Sequence, residues 1–108
     1  MPFLNLDEFD PREIIPGYHA KFLHSENMTL VYWTITTGAE MPVHAHEHEQ
    51  VANVLEGEFE LEVDGEIQVL RPGMVALIPS EAPHGGRAIS DCRLLDVFHP
   101  VREDYRVE

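Results

Sequence analysis

Four side chains that could hold a metal ion lie within one span of seven residues. His44 and His46 are two positions apart, so on a β-strand both imidazoles project from the same face. Neutral imidazole is the commonest metal-binding side chain in proteins. Gln50 follows far enough along the chain for it to bend and return an amide oxygen. His48 has the same parity and is a rival ligand, because one unbroken strand would point all three histidines inward.

Two motifs around these residues resemble the pair of motifs that define the cupin family. The first runs from Gly38 to Gly57, and the second runs from Gly73 through Pro79 to His84. The resemblance implies an all-β fold, an antiparallel β-barrel of the jelly-roll type that holds one metal ion in its lumen. It assigns four metal ligands: His44, His46, Gln50 and His84.

The sequence departs from the family pattern at two positions. Gln50 stands where cupins usually have a glutamate, and Ala88 stands where an asparagine is common. Three imidazoles and one amide carry no negative charge, so a bound divalent ion would keep its full charge and act as a strong Lewis acid. These ligands suit zinc, nickel, cobalt, iron or manganese, and the pattern does not select among them.

The last apolar segment contains a second chemical signal. Asp96 interrupts the run from Leu94 to Phe98, and a carboxylate inside such a strand is costly unless it is paired or functional. In one interpretation Asp96 forms a structural ion pair with an arginine, and Arg102 is a charge on the rim of the barrel. In the other, Asp96 is a functional group of the site. The sequence leaves both open.

A closer resemblance covers roughly residues 41–105. The run His-x-His-x-His-Glu-Gln, then Gly-Glu-Phe-Glu, then Leu-Leu-Asp-Val-Phe-x-Pro-x-Arg-Glu-Asp resembles the small cupins of pectin and alginate breakdown. It implies a metal-dependent, isomerase-type enzyme of carbohydrate metabolism. The reaction converts 4,5-unsaturated uronate monosaccharides to the linear keto form by ring opening and enol–keto tautomerisation. The resemblance makes Asp96 the acid/base group and places Phe98 and Arg102 in the substrate pocket.

Two other functions are compatible with the same motifs. One is a metal-dependent dioxygenase or other oxidoreductase acting on a small molecule. Dioxygen-activating iron sites usually include a carboxylate ligand, so Gln50 weakens this hypothesis. The other is a non-catalytic cupin that binds a sugar or an effector. Oxygen consumption would identify the first, and binding without turnover would identify the second.

Short strands separated by turns, with no long helical pattern, predict a single all-β domain. The clearest alternation spans residues 58–63, and Asp64-Gly65 is typical of a two-residue hairpin turn. We expect a barrel over residues 17–108 preceded by an N-terminal arm over residues 1–16, which is either a short helix or an edge strand. Residues 28–37 are apolar on both faces and are expected to be covered on both, and residues 74–78 are expected to form a buried strand.

Composition limits the partners of the protein. The 108 residues carry a formal net charge of −13, which repels nucleic acid and anionic membranes. An anionic ligand, such as a sugar acid, therefore needs local positive charge from the metal or a few arginines. The single cysteine, Cys92, excludes a disulfide within the chain. The sequence shows neither a signal peptide nor an apolar run of the ~20 residues that span a membrane, so we expect a cytoplasmic protein.

A homodimer is expected because the chain has more large apolar residues than one small core needs. Symmetric dimers are also the most frequent oligomers. The residues that suggest this surplus are Phe3, Leu4, Leu6, Phe9, Val31, Trp33 and Ile35.

Overall fold

Ten antiparallel strands make up most of the protein in a computed structural model, which describes residues 2–106. Two single-turn 3-10 helices, Leu6–Glu8 and Glu103–Tyr105, lie near the two ends of the chain. The strands are β1 (Arg12–Ile15), β2 (Tyr18–His24), β3 (Thr29–Ile35), β4 (Glu40–His44), β5 (Glu49–Glu56), β6 (Phe59–Val63), β7 (Glu66–Leu70), β8 (Val75–Ile78), β9 (His84–Ala88) and β10 (Cys92–His99).

The strands form two sheets that pack face to face. The larger sheet has the order β1-β2-β3-β10-β5-β8, and the smaller has the order β4-β9-β6-β7. Alternate residues of each strand point between the sheets and form the apolar core, as the period of two requires. The all-β jelly-roll prediction is confirmed. The buried core includes Tyr18, Ala20, Val31, Trp33, Ile35, Val54, Phe59, Leu61, Ile78, Leu94 and Phe98.

The turn between β6 and β7 matches its sequence signal. Asp64 and Gly65 both have positive φ, 51° and 84°, and Val63 pairs directly with Glu66. These are the backbone angles of a type I′ hairpin, which joins two twisted strands through two residues. The hairpin fixes the register that turns Phe59 and Leu61 inward.

The N-terminal arm contains both of the structures that its sequence left open. A 3-10 turn occupies Leu6–Glu8, and Arg12–Ile15 is the edge strand β1, which pairs with β2. Phe3 and Leu4 are 86% and 58% exposed. The division between arm and barrel at residue 16 stays a prediction, although β1 hydrogen-bonds to the larger sheet.

Two expectations about burial are wrong. The strand expected at residues 74–78 is not buried, because β8 lies at the edge of the larger sheet and Leu77 is 75% exposed. β3 is covered completely on one face only: Val31, Trp33 and Ile35 are in the core, whereas Thr34 is exposed on the other face. Apolar residues on both faces of a strand do not reveal which face the fold covers. No helix of residues 2–106 is long and apolar enough to cross a bilayer.

Candidate metal centre

Two strands of the smaller sheet bring the first pair of histidines together. His44 ends β4, His84 begins β9, and the two residues are partners in the register of these antiparallel strands. Their ring centroids are 4.4 Å apart. The strands can approach this closely because Gly85 has no side chain: a Cβ atom there would lie 2.8 Å from the carbonyl oxygen of Met41 in β4. The glycine that follows His84 therefore allows the two histidines to lie side by side.

The turn after β4 and the start of β5 add the other two side chains. One imidazole nitrogen from each of His44, His46 and His84 lies within 4.8 Å of the other two. The Oε1 atom of Gln50, a buried residue of β5, lies 3.2 Å from Nε2 of His46. The structure thus brings together all four residues that the motifs single out.

Backbone carbonyls set the protonation of all three imidazoles. Nδ1 of His44 lies 2.8 Å from the oxygen of Pro42, Nδ1 of His46 lies 3.0 Å from that of His48, and Nδ1 of His84 lies 2.8 Å from that of Ala82. A carbonyl oxygen only accepts, so each Nδ1 carries the proton and each neutral ring keeps its lone pair on Nε2. Such carbonyl contacts are typical of histidines that bind a metal.

Burial favours the neutral form of His46 and His84. Desolvation lowers the pKa of His46 to about 4, assisted by the charge of Arg102, and desolvation also lowers the pKa of His84. The lone pair on Nε2 of His46 and the amide oxygen of Gln50, 3.2 Å apart, repel each other unless a cation lies between them or the amide turns its NH₂ group to the ring. The donor set therefore fits a divalent transition-metal ion.

His48 is not part of this cluster. Its ring centroid lies 5.5 Å from that of His46, but its nitrogens do not join the group of ligand atoms. The chain turns between β4 and β5 instead of continuing as one strand. The side chains of His44, His46 and His48 therefore do not all point to the same place, although they are spaced two residues apart.

Asp96 lies on the inner face of β10, where its carboxylate has one hydrogen-bond partner. Nε1 of Trp33 donates to Oδ2 at 2.8 Å, whereas Oδ1 is enclosed and has no hydrogen-bond partner within residues 2–106. Desolvation raises the pKa of Asp96 to about 6, although the nearby Gln50, Trp33 and Arg102 lower it. The carboxyl group is therefore poised to exchange a proton near neutral pH.

The ion pair expected between Asp96 and an arginine does not form among the described residues. Arg102 is bound to Asp104 instead, with Nε 3.0 Å from Oδ1 and Nη2 2.7 Å from Oδ2. Its guanidinium also lies over the rings of Phe98 and Tyr105, 4.8 and 4.2 Å from their centroids. Only 7% of Arg102 is exposed, so it is not a charge on the rim.

These groups share one cavity between the sheets, which we call the lumen. Its volume is about 560 Å³ including the space at its open mouth. Apolar side chains such as Ile35, Leu61 and Leu94 line one part. The polar lining consists of His44, His46, Gln50, His84, Asp96, Arg102 and the tyrosines Tyr18 and Tyr105, and the indole of Trp33 also lines the cavity.

Sequence reasoning missed two contacts of this site. Trp33 was expected to be a surplus apolar residue, but it hydrogen-bonds to Asp96, 63 positions away. Asp104 was assigned no role in the polar tail, but it holds Arg102. The signal for Trp33 was its parity with the inward positions of a strand that could pair with β10. The signal for Asp104 was only its proximity to Arg102 in the sequence.

Comparison with known proteins agrees with this architecture. The model of the Cupin_2 family, described as the cupin domain, matches residues 31–98. The pectin degradation protein KdgF of Dickeya dadantii is 29% identical over 102 residues, which are 92% of this chain and 93% of that protein. The structure of KdgF from a Halomonas species is 32% identical with a TM-score of 0.93, covering 98% of this chain and 99% of that one.

A further solved structure gives the same result. The RmlC-like cupin of Shewanella frigidimarina is 34% identical with a TM-score of 0.93, over 98% of this chain and 96% of that one. The match of the family model includes His44, His46, Gln50 and His84, which meet in the lumen. The chain belongs to the cupin family.

Proposed function

We propose that the protein is a metal-dependent enzyme that opens the ring of 4,5-unsaturated uronate monosaccharides and converts them to the linear keto form. The observation that carries the proposal is the placement of Asp96. A buried carboxyl group, one oxygen of which has no hydrogen-bond partner in residues 2–106, lines the same cavity as three imidazoles and a buried arginine. The similarity to two proteins named KdgF, one of them described as a pectin degradation protein, supports the substrate class.

The residues fit the chemistry of this substrate. An unsaturated uronate is a hemiacetal joined to an enol ether, with a carboxylate on the adjacent carbon. Arg102 is the arginine of the lumen, and its Nη1 atom takes no part in the pair with Asp104, which uses Nε and Nη2. This end of the guanidinium binds the substrate carboxylate, while Asp104 holds the other edge. The ring of Phe98 lies against the face of the guanidinium group.

Asp96 moves the proton. In ring opening, the anomeric hydroxyl loses its proton, the bond between the anomeric carbon and the ring oxygen breaks, the ring oxygen gains a proton, and an aldehyde and an enol form. In tautomerisation, the enol oxygen loses its proton and carbon 4 gains one, which gives the ketone. No electrons are gained or lost. Asp96 takes the proton in its ionised form and returns it in its neutral form, and a pKa of about 6 allows both.

His44, His46, Gln50 and His84 would hold the metal ion. A divalent ion bound there supplies Lewis acidity toward the oxygen atoms on which negative charge develops. The ligands include no carboxylate, so they leave the positive charge of the ion undiminished. Burial of His46 and His84 keeps these ligands deprotonated at neutral pH.

The test is the conversion of an unsaturated uronate in D₂O, followed by NMR. We expect the metal-loaded protein to form the keto product with one deuterium at carbon 4, added to a single face, because Asp96 delivers it from a fixed position. A product deuterated equally on both faces would show that the protein does not direct this proton. Oxygen consumption during turnover would favour the oxidoreductase, and binding of the uronate without turnover would favour a binding protein.

A further inference from the structure

The hydrogen bond between Trp33 and Asp96 joins two buried side chains on neighbouring strands. Trp33 is 4% exposed and Asp96 is 7% exposed. Val31 is the residue opposite Asp96 in the β3–β10 ladder. Trp33 lies two residues further along β3, so its indole reaches the carboxylate diagonally. Nε1 donates to Oδ2 at 2.8 Å, and Oδ1 has no partner among residues 2–106. The two oxygens of one carboxyl group are therefore not equivalent.

The indole itself is held rigidly. The ring of Tyr18 meets it edge to face with centroids 5.7 Å apart, and Phe22 does the same at 6.4 Å. The end torsion of an aspartate side chain is broad and has no sharp rotamers, so a carboxyl group without a fixed donor turns freely. A rigid donor on one oxygen removes that freedom.

We propose that Trp33 is a positioning residue for Asp96: its indole N–H holds Oδ2, so that Oδ1 is the oxygen that exchanges a proton with the substrate. This inference rests on the proposed function, because Asp96 must move a proton for its orientation to matter. Trp33 lines the lumen beside Asp96, and in this proposal it acts through the carboxyl group rather than on the reacting atoms. The indole N–H occupies one of the two lone pairs of Oδ2 and lowers the basicity of that oxygen, so Oδ1 is the oxygen that carries the proton.

The hydrogen bond can be tested without turnover, because the chain contains one tryptophan. The zinc-loaded protein labelled with ¹⁵N should give one indole N–H resonance, shifted downfield by the carboxylate acceptor and slow to exchange with solvent. In Asp96→Ala this resonance should move upfield. An indole resonance at the same position in both proteins would overturn the proposal.

The kinetic test uses Trp33→Phe, Asp96→Asn and the double variant, all metal-loaded and given an unsaturated uronate. Trp33→Phe keeps an aromatic ring but removes the donor, and misplacement of a reacting group costs about 10- to 100-fold in rate. We expect this loss in kcat, with KM and metal content unchanged. In the Asp96→Asn background, Trp33→Phe should cost nothing further, because a residue that acts only through Asp96 has no effect once the carboxylate is gone.

Val54→Ala is the matched control. Val54 is fully buried on β5, pairs with Leu94 and not with Asp96, and does not line the lumen, so this variant loses stability without altering the carboxyl group. Its kcat should equal that of the wild type. If Trp33→Phe lowers kcat equally in the wild-type and Asp96→Asn backgrounds, or no more than Val54→Ala does, the role of Trp33 is refuted. A wild type without turnover, or an Asp96→Asn protein with full turnover, would refute the proposed function instead.

Discussion

Asp96 shows how one residue can serve chemistry at the expense of stability. Its carboxyl group is buried and has a neutral hydrogen-bond donor, but no arginine is bound to it. A buried charge without a partner destabilises the folded state. The two interpretations drawn from the sequence predicted opposite effects of removing this charge, and the structure favours the one in which folding does not depend on it.

We predict that Asp96→Asn raises stability at neutral pH while turnover falls by about 10²- to 10⁴-fold. Burial raises the pKa of Asp96 to about 6 from 3.8, so the folded state binds this proton more tightly than the unfolded state. The contribution of Asp96 to the free energy of unfolding therefore decreases as pH rises from about 4 to about 6 and stays low above that.

The measurement is denaturant unfolding of chelated wild type and Asp96→Asn at pH 4.5 and pH 7. The free energy of unfolding of Asp96→Asn, relative to that of the wild type, should rise by on the order of 1–3 kcal/mol from pH 4.5 to pH 7. Because the histidines are present in both proteins, their titration cancels in the difference. A variant that is several kcal/mol less stable than the wild type at pH 7 would show that Asp96 is needed for folding.

Arg102 should matter for substrate affinity more than for folding. Arg102→Ala removes a charge-assisted contact with the substrate carboxylate, which corresponds to roughly a 10- to 100-fold rise in KM. Arg102→Lys should not restore KM, because the guanidinium is stacked on Phe98 and Tyr105 and forked onto Asp104.

Steady-state kinetics with an unsaturated uronate measures this effect. Arg93→Ala is the control, because Arg93 is an exposed arginine of β10 that pairs with Glu56. If Arg102→Ala and Arg93→Ala have the same KM, Arg102 does not bind the substrate.

At the level of elements, the metal centre depends on the close pairing of β4 and β9. A Cβ atom on Gly85 would lie 2.8 Å from the oxygen of Met41 and 2.9 Å from the nitrogen of Val43. Backbone atoms in a sheet cannot move aside without shifting the strand. His44, the last residue of β4, would move relative to His84.

We therefore predict that Gly85→Ala weakens metal binding by roughly tenfold or more. Losses of this size are typical when the residues that hold a metal ligand in position are changed. Gly86→Ala is the matched variant. A Cβ atom there would press on the ring of Phe59 and on the carbonyl oxygen of Glu60, both in β6 and not in β4, so it should lose stability by about 1–3 kcal/mol but keep its metal. Competition with a chelating dye measures both affinities, and equal affinities would contradict this account of the strand pair.

How far the sequence predicted these elements depends on how local their signals are. The signals of the turn at Asp64-Gly65 and of the motifs around His44 and His84 are local. The turn has the positive φ angles that its sequence predicts, and His44 and His84 are strand partners. The exposure of β8 was not predictable, because Val75 and Leu77 are as apolar as core residues and only the sheet order makes β8 an edge. The contact between Trp33 and Asp96 needs the pairing of β3 with β10, which no short pattern contains.

At the level of the whole molecule, the outer face of the larger sheet is apolar although the protein as a whole is acidic. The chain carries a formal net charge of −13, yet the outward positions of β3, β10, β5 and β8 are largely apolar. Leu55, Val75 and Leu77 are 44%, 51% and 75% exposed. The expected homodimer stays a prediction, but its basis changes: Val31, Trp33 and Ile35 belong to the core, and this outer face is the surface that a second copy would cover.

Sedimentation at micromolar concentration tests the dimer. We expect a species of twice the 12.3 kDa of one chain. Leu77→Glu should shift it toward the monomer, because a charge on a covered apolar face is costly. Ile67→Glu should not, because Ile67 is an exposed apolar residue of β7 in the smaller sheet. A wild type that sediments only as a 12.3 kDa species would refute the dimer.

The measurement that tests the central claim most directly is turnover of unsaturated galacturonate-type and mannuronate-type monomers by wild type and Asp96→Asn. Each protein is chelated, reloaded with one divalent ion and assayed by loss of the alkene absorbance, with the keto product identified by NMR. The account predicts that the wild type forms the linear keto product faster than buffer containing the same ion, and that Asp96→Asn, with equal metal content, is slower by ~10² or more. A metal-loaded wild type no faster than buffer, or an Asp96→Asn protein as fast as the wild type, would contradict it.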